Sequence, residues 1–233
     1  MENLINVSKL SKSYGKNLVL NEISFTADSG HIIGLLGPNG SGKTTLIKIL
    51  TGLIKDYKGM VRIANEEIGP VTKSMVAFLP DKSYLPDWMT PVDAIKYLAD
   101  FYKDFDKEKA EKMIVDFDLN PRQRLKTMSK GQQEKVNLIL VMCRRAQLYI
   151  LDEPLGGVDP AARENILALI KNNYAKGATV LLSTHLINDV EDIFDRVLMI
   201  NNGKLVVDSF VDDVRKDGRT VEEVFKEVFS RAW

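Results

Sequence analysis

One cysteine, Cys143, two histidines and two tryptophans are all that the 233 residues hold of those types. A lone cysteine cannot close an internal disulfide. Its flanks Leu140, Val141 and Met142 mark it as a buried thiol, in a protein suited to a reducing interior compartment. No window of about 18 apolar residues occurs, and the opening Met1-Glu2-Asn3-Leu4 lacks the basic and apolar stretches of a signal peptide. The expectation is a chain that neither spans a membrane nor is secreted alone. Excess charge of one sign is missing too, because 32 Lys+Arg offset 32 Asp+Glu. Without a net field there is no long-range pull toward nucleic acid, and no nucleic-acid partner is expected. Internal repeats and low-complexity tracts are absent, and the length excludes a long coiled-coil machine. What remains, 45% hydrophobic and 27% charged, is the composition of an ordinary globular protein of one large or two small domains.

Short apolar runs alternate with amphipathic segments. Ile5–Leu10, Ser24–Ala27 and Met60–Ala64 read as strands of alternating polarity, as in an antiparallel sheet with one wet face. His31–Leu36, Met75–Leu79, Leu148–Leu151 and Thr179–Leu182 are nearly continuous apolar runs, which suit parallel strands buried on both sides. Helix signals cover Thr44–Leu53, Pro91–Tyr102 with Thr90 as N-cap, Lys107–Phe117 behind Asp106, and Pro160–Tyr174 capped by Asp159. Arg196–Asp208 reads as a hairpin around Asn201-Asn202-Gly203-Lys204. Thr220–Arg231 reads as a short amphipathic helix, with Val221, Val224, Phe225 and Val228 on one side. Between Met89 and Arg145 the strand signal vanishes, so residues 89–145 are expected to be a helical insert within a single α/β domain spanning 1–233.

The segment Gly37-Pro38-Asn39-Gly40-Ser41-Gly42-Lys43-Thr44 follows an apolar strand, opens a helix and matches the G-x-x-x-x-G-K-[ST] phosphate loop. Its glycines let successive N–H groups point at phosphate oxygens, and the helix start adds its positive dipole end. Lys43 is expected to reach the β- and γ-phosphates, and the Thr44 hydroxyl to ligate Mg²⁺. The plainer reading is a glycine-rich strand-to-helix turn. Leu148-Tyr149-Ile150-Leu151-Asp152-Glu153 then places two carboxylates at one strand end. Asp152 is the candidate for holding Mg²⁺, and Glu153 the candidate general base for a water attacking the γ-phosphate. Acidic residues after strands also serve as turn formers. In Ser129-Lys130-Gly131-Gln132-Gln133, Ser129 and Gln132 fit the S-x-x-Q capping box ahead of an apolar helix, and most capping boxes hold no phosphate.

In this order and spacing, Gly37 to Thr45, Ser129 to Gln133, Leu148 to Asp159 and Ser183-Thr184-His185 resemble the nucleotide-binding domain of the ATP-binding cassette (ABC) family, over nearly the whole chain. The resemblance implies an α/β fold: a RecA-like P-loop NTPase core with a small antiparallel β subdomain and an inserted helical subdomain that carries a signature sequence. It implies ATP and Mg²⁺ as ligands. It also implies a head-to-tail dimer of two copies, or of one copy with a homologous ATPase subunit. In that dimer each ATP lies between the glycine loop of one chain, Gly37 to Thr45, and Ser129, Lys130, Gly131 and Gln132 of the other. By the same resemblance Tyr14 stacks on adenine, which competes with its reading as a half-buried strand tyrosine. His185 matches the switch histidine that senses the γ-phosphate, and Gly157-Val158-Asp159 occupies the family's D-loop, a segment that lies between the two copies. His31 matches nothing functional and is read as structural.

Two positions depart from the family pattern. Asp81 stands where a glutamine begins the Q-loop, so it must ligate the metal or turn away from the γ-phosphate. Similar carboxylates occur among multidrug and peptide exporters. Lys130 replaces the first glycine of the signature and adds a cation. The bulky residues Tyr84, Leu85, Pro86, Trp88 and Met89 lie in a segment that faces the membrane subunit in transporters, although burial against the helical insert explains them as well. The implied function is an ATPase subunit on the cytoplasmic face of the cell membrane, driving a separate transmembrane permease in export of a drug, peptide or lipid-like compound. The alternative is a soluble ABC ATPase of the iron–sulfur cluster assembly type.

Overall fold

The computed structural model describes residues 3–216 and 218–230. In chain order the elements are β1 (Asn3–Tyr14), β2 (Asn17–Asp28), β3 (Ile32–Leu36), α1 (Lys43–Leu50), β4 (Lys58–Ile63), β5 (Glu66–Glu67), α2 (Pro70–Met75) and β6 (Val76–Leu79). There follow α3 (Pro91–Phe101), α4 (Lys107–Asp116), α5 (Lys130–Met142), β7 (Leu148–Asp152), α6 (Pro160–Asn173), β8 (Thr179–Thr184) and α7 (Ile187–Val190). The chain continues through β9 (Arg196–Asn201), β10 (Lys204–Phe210), α8 (Val211–Lys216) and α9 (Val221–Ser230). Arg231, to which the sequence pattern extends the last helix, lies outside the described residues.

Six strands form one sheet in the order β10-β9-β3-β8-β7-β6, parallel except for the β9–β10 hairpin. Four form a second, antiparallel sheet in the order β2-β1-β4-β5. The continuous apolar runs are explained by burial on both faces. Leu148 and Ile150 of β7 enter one core cluster and Tyr149 and Leu151 the other, and β3, β8 and β9 divide in the same way. The first cluster is closed by α1, whose Leu46, Ile47, Ile49 and Leu50 are buried among residues of both sheets. Burial of each such side chain contributes about 1.5–3 kcal/mol. The second is closed by α5 and α6.

Several boundaries differ from the sequence pattern. β1 and β2 each run 12 residues, well beyond the expected Ile5–Leu10 and Ser24–Ala27. Register shifts between them, with positive φ at Lys9 and Glu22, break the alternation that marks a strand. His31 precedes β3 rather than starting it and meets the Phe210 ring edge-on at 5.6 Å. Met75 ends α2, and β6 begins at Val76. Asp159 holds the N-cap position of α6, yet its side chain accepts no hydrogen bond from the helix. Its expected capping role is therefore corrected: Pro160 and the backbone alone start that helix.

Residues 89–145 carry α3, α4, a short 3₁₀ turn at Leu125–Thr127 and α5, with one isolated bridge between Phe105 and Arg144. Thr90 and Asp93 cap α3 reciprocally, and the Asp106 carboxylate accepts from the Lys109 N–H at 3.0 Å at the head of α4. Arg144 fastens this stretch to the sheet. Its Nε donates to both oxygens of Asp104 at 3.0 Å, Nη1 and Nη2 donate to the carbonyls of Val76 and Ser74, and the guanidinium lies 3.8 Å from the centre of the Tyr102 ring. Cys143 is buried as expected, with its thiol pushed up to about 12 by desolvation.

Candidate nucleotide site

Parallel strands of an open α/β sheet deliver their carboxyl ends to one edge, where ligands of such sheets bind. Here β3, β7 and β8 bring Gly37–Thr45, Asp152–Glu153 and Ser183–His185 to a common cleft of about 500 Å³. Tyr14, Val19, Asn39, Gly40, Gly42, Lys43, Thr44, Thr45, Asp81, Glu153, Gly156 and His185 line it.

The loop between β3 and α1 needs its glycines. Gly37 has φ 154° and Gly42 φ 113°. A Cβ at Gly37 would lie 2.3 Å from the Ile200 carbonyl, and one at Gly42 would lie 2.7 Å from Leu20 Cδ2. Gly42 is the N-cap of α1, with no side-chain cap and no acidic residue in the first turn, so the N–H groups there are not satisfied by a capping side chain. Lys43 is buried and donates from Nζ to the carbonyls of Gly37 at 2.7 Å and Pro38 at 3.2 Å. Burial lowers its pKa, while Glu153 and Asp152 act the other way and favour the ammonium. Ser41 Oγ is buried with no hydrogen-bond partner among the described residues. An orphaned hydroxyl beside a left-handed glycine cradle and an uncapped helix start fits an anion.

Asp152 ends β7, buried, with Oδ1 accepting from the Ser183 hydroxyl at 2.5 Å. Desolvation raises its pKa, with Glu153 and Asp81 adding to the rise and Ser183 and Lys43 opposing it. Glu153 turns away from the strand in the left-handed region at φ 52°, a conformation that costs a non-glycine residue about 1–3 kcal/mol and is found at functional sites. The turn is held by its N–H, which donates to the carbonyl and hydroxyl oxygens of Ser183, both at 3.1 Å. Its Oε2 accepts from His185 Nδ1 at 2.9 Å, a direction set by the acceptor-only carboxylate. Among the described residues no group of three or more His, Cys, Asp or Glu side chains converges as a metal cage. One buried carboxylate, Asp152, and one cleft-lining hydroxyl residue, Thr44, instead fit Mg²⁺, which takes few protein oxygens and completes its shell with phosphate and water.

A family model described as ABC transporter matches residues 20–156, from β2 to the turn after Glu153. The chain belongs to the ABC transporter family. The cassette is 33% identical over 229 residues to the SkfA peptide export ATP-binding protein SkfE of Bacillus subtilis, covering 96% of each chain. It is 35% identical over 221 residues to an uncharacterized ABC transporter ATP-binding protein of Methanocaldococcus jannaschii, MJ1023, covering 92% of this chain and 80% of that one. A solved structure titled as an ATP binding subunit of an ABC transporter superposes with a TM-score of 0.85 at 29% identity, covering 96% of this cassette and 98% of that chain. The two sheets and the P-loop therefore form the RecA-like core and small antiparallel sheet of an ABC ATP-binding domain.

Of the residues singled out in the sequence, Tyr14, Asn39, Gly40, Gly42, Lys43, Thr44, Thr45, Asp81, Glu153 and His185 line the cleft of the cassette, while Gly37, Pro38, Ser41 and the buried Asp152 do not. Tyr14 is half exposed at the end of β1, and Lys12 Nζ lies 5.0 Å from its ring centre. Asp81 follows β6 and faces the turn after Glu153, with Oδ1 4.0 Å from where a Cβ on Gly156 would sit. Ser129, Lys130, Gly131 and Gln132, expected to be the signature, do not line the cleft. They start α5 as a complete capping box: the Gln132 N–H donates to Ser129 Oγ at 3.3 Å, and Gln132 Oε1 accepts from the Ser129 N–H at 2.9 Å. The Lys130 side chain lies across Gly157 of its own chain, so close that a Cβ on that glycine would be 2.0 Å from Nζ.

The bulky segment after Asp81 divides. Leu85 and Met89 are buried, while Tyr84 and Trp88 are 48% and 62% exposed. Val19 is a site residue outside every motif, while Gly156 and Ser183 lay within the matched segments without a role of their own. The serine was legible as the start of Ser183-Thr184-His185, but its hold on both carboxylate residues depends on β7–β8 pairing.

Proposed function

We propose that the chain is the ATP-binding and ATP-hydrolysing subunit of an ABC transporter, working as a pair with itself or a homologous subunit to drive a separate transmembrane permease in export. The backbone N–H groups of the glycine loop and the Lys43 ammonium hold the phosphates of ATP, with Tyr14 against the adenine. Thr44 and Asp152 hold Mg²⁺, with Asp81 beside them, and the ion when bound offsets the charge of the phosphates. Glu153 takes the proton of a water whose oxygen forms a bond to the γ-phosphorus as the bond to ADP breaks. His185 orients Glu153 through Nδ1. The single observation that carries this reading is the Glu153–His185 pair, 2.9 Å apart, lining the same cleft as Lys43.

Separation of Ser129, Lys130, Gly131 and Gln132 from that cleft supports their serving the ATP of a second copy, with residues 89–145 as the signature-bearing subdomain of a single cassette. Two features support a permease partner at the edge of the helical stretch. One is a groove of about 530 Å³ lined by Leu53, Phe78, Pro80, Tyr84 and Tyr102, and the other is the exposed Trp88, four residues after Tyr84. Among the described residues no helix is long and apolar enough to cross a membrane. The proposed permease is a separate chain, with the cassette on its cytoplasmic face. Likeness to a peptide-export ATPase over 96% of both chains supports a peptide, drug or lipid-like cargo over iron–sulfur cluster assembly.

The test is Glu153→Gln. Steady-state turnover should fall about 10²–10⁴-fold, the usual contribution of a positioned base, while ATP binding persists. Hydrolysis at the unsubstituted rate would remove Glu153 from that role.

A further inference from the structure

Glu153 is fixed at two ends, by the turn that follows it and by His185, and both lead to the same side chain. After Glu153 the chain folds back on itself, with the Gly156 N–H donating to the Glu153 carbonyl at 2.9 Å and the Val158 N–H to the Leu155 carbonyl at 3.2 Å. After His185 it enters α7, where Asp189 lies four residues on. Arg163, one turn into α6, joins these segments. Its Nε donates to the Val158 carbonyl at 3.1 Å and its Nη1 to Asp189 Oδ2 at 2.6 Å. The contacts close a ring that runs from Glu153 through the turn to Val158, across Arg163 to Asp189, back along α7 to His185, and to Glu153 again. A rigid planar fork suits a bridge between a carbonyl and a carboxylate, whereas a lysine presents a single ammonium.

We propose that Arg163 is a positioning residue that holds His185 on Glu153 by locking the D-loop to the segment after the switch histidine. This deepens the reading of Glu153 as general base and rests on it. The bridge reinforces two segments that already share one core cluster through Leu155, Val158, Ile187 and Val190, so a shift of Val158 is passed to Asp189, and with it to the histidine. Such a shift would accompany a second chain pressing on Gly157-Val158-Asp159. On its far side α7 is tied to α9, where Asn188 Nδ2 donates to Glu222 Oε1 at 2.9 Å and the Glu222 N–H donates to Glu191 Oε2 at 3.2 Å. Loss of Arg163 therefore loosens one face of the switch segment and leaves the other attached.

The experiment compares Arg163→Ala, Arg163→Lys, Asp189→Ala and the Arg163→Ala/Asp189→Ala pair in the full chain. Arg215→Ala, which breaks an exposed pair with Asp192, is the control. Two readouts are taken: Mg-ATP turnover, and the imidazole resonance of His185. The chain has two histidines, so a His31→Gln variant assigns the signal. Arg163→Ala should lower kcat about 10- to 100-fold at unchanged KM and thermal midpoint, as for a reacting group displaced by about 1 Å. Arg163→Lys should recover only part of the rate, and the double variant should be no slower than Arg163→Ala. The His185 signal should move in Arg163→Ala and stay in Arg215→Ala. An unmoved His185 signal, or a kcat that falls only in step with folded protein, overturns the proposal. Should the unsubstituted chain fail to hydrolyse ATP while the signal still responds to Arg163→Ala, the positioning role stands and the hydrolytic reading fails.

Discussion

Two helices of this cassette begin in opposite ways. α1 starts at Gly42 without a side-chain cap and without an acidic residue in its first turn. α5 starts at Ser129 with a reciprocal capping box. The first leaves its leading N–H groups to be satisfied from outside, in a cleft with a buried ammonium. The second satisfies two of its own amide donors on an exposed surface. Glycine-rich or serine-led helix starts are thus not equivalent anion sites: local capping separates one that needs a ligand from one that stands alone. Any ligand of α5 must come with a surface that completes it, which agrees with a role toward a second copy.

Substitution at each start separates the two. The larger effect is expected at α1. Lys43→Ala removes the ammonium proposed to hold the phosphates and should weaken ATP binding by about 1.5–3 kcal/mol, the range for hydrogen bonds to charged groups. Equilibrium titration of the isolated chain measures it, and unchanged affinity would place the phosphates elsewhere. The smaller effect is expected at α5, where Ser129→Ala removes an N-cap oxygen and should lower folding stability by about 1 kcal/mol in denaturant unfolding. ATP affinity of the single chain should stay within about twofold, well under the 1.4 kcal/mol of a tenfold change. If Ser129→Ala weakens single-chain binding as much as Lys43→Ala does, the contrast between the two helix starts is wrong.

The sequence exposed the parts of this architecture that are local. The phosphate loop, the carboxylates at the end of β7 and the capping boxes at Thr90 and Ser129 each reside in a few adjacent residues with a fixed chemistry. Buried parallel strands were legible because burial on both faces leaves no polar position to confuse the pattern. β1 and β2 outrun their sequence pattern because bulges at Lys9 and Glu22 interrupt the two-residue period. α2 and α8, six residues each, are too short to display a helical period. Asp159 stands at a cap position without making the cap, since position alone does not fix the rotamer. Least legible were contacts between segments remote in sequence. Arg144 reaching the Val76 carbonyl, Ser183 gripping Asp152, Lys130 lying over Gly157 and Arg163 spanning to Asp189 all depend on tertiary pairing. Glu153 illustrates both cases: its identity was apparent as the carboxylate after Asp152, but its left-handed backbone and its histidine partner were not.

The account depends on one chain clasping one triphosphate at α1. Isothermal titration of the folded protein with Mg-ATP tests this most directly. The prediction is a saturable exchange of heat at one nucleotide per chain, sharply reduced in Lys43→Ala. Absence of heat from a sample whose circular dichroism and cooperative melting show it to be folded would contradict it.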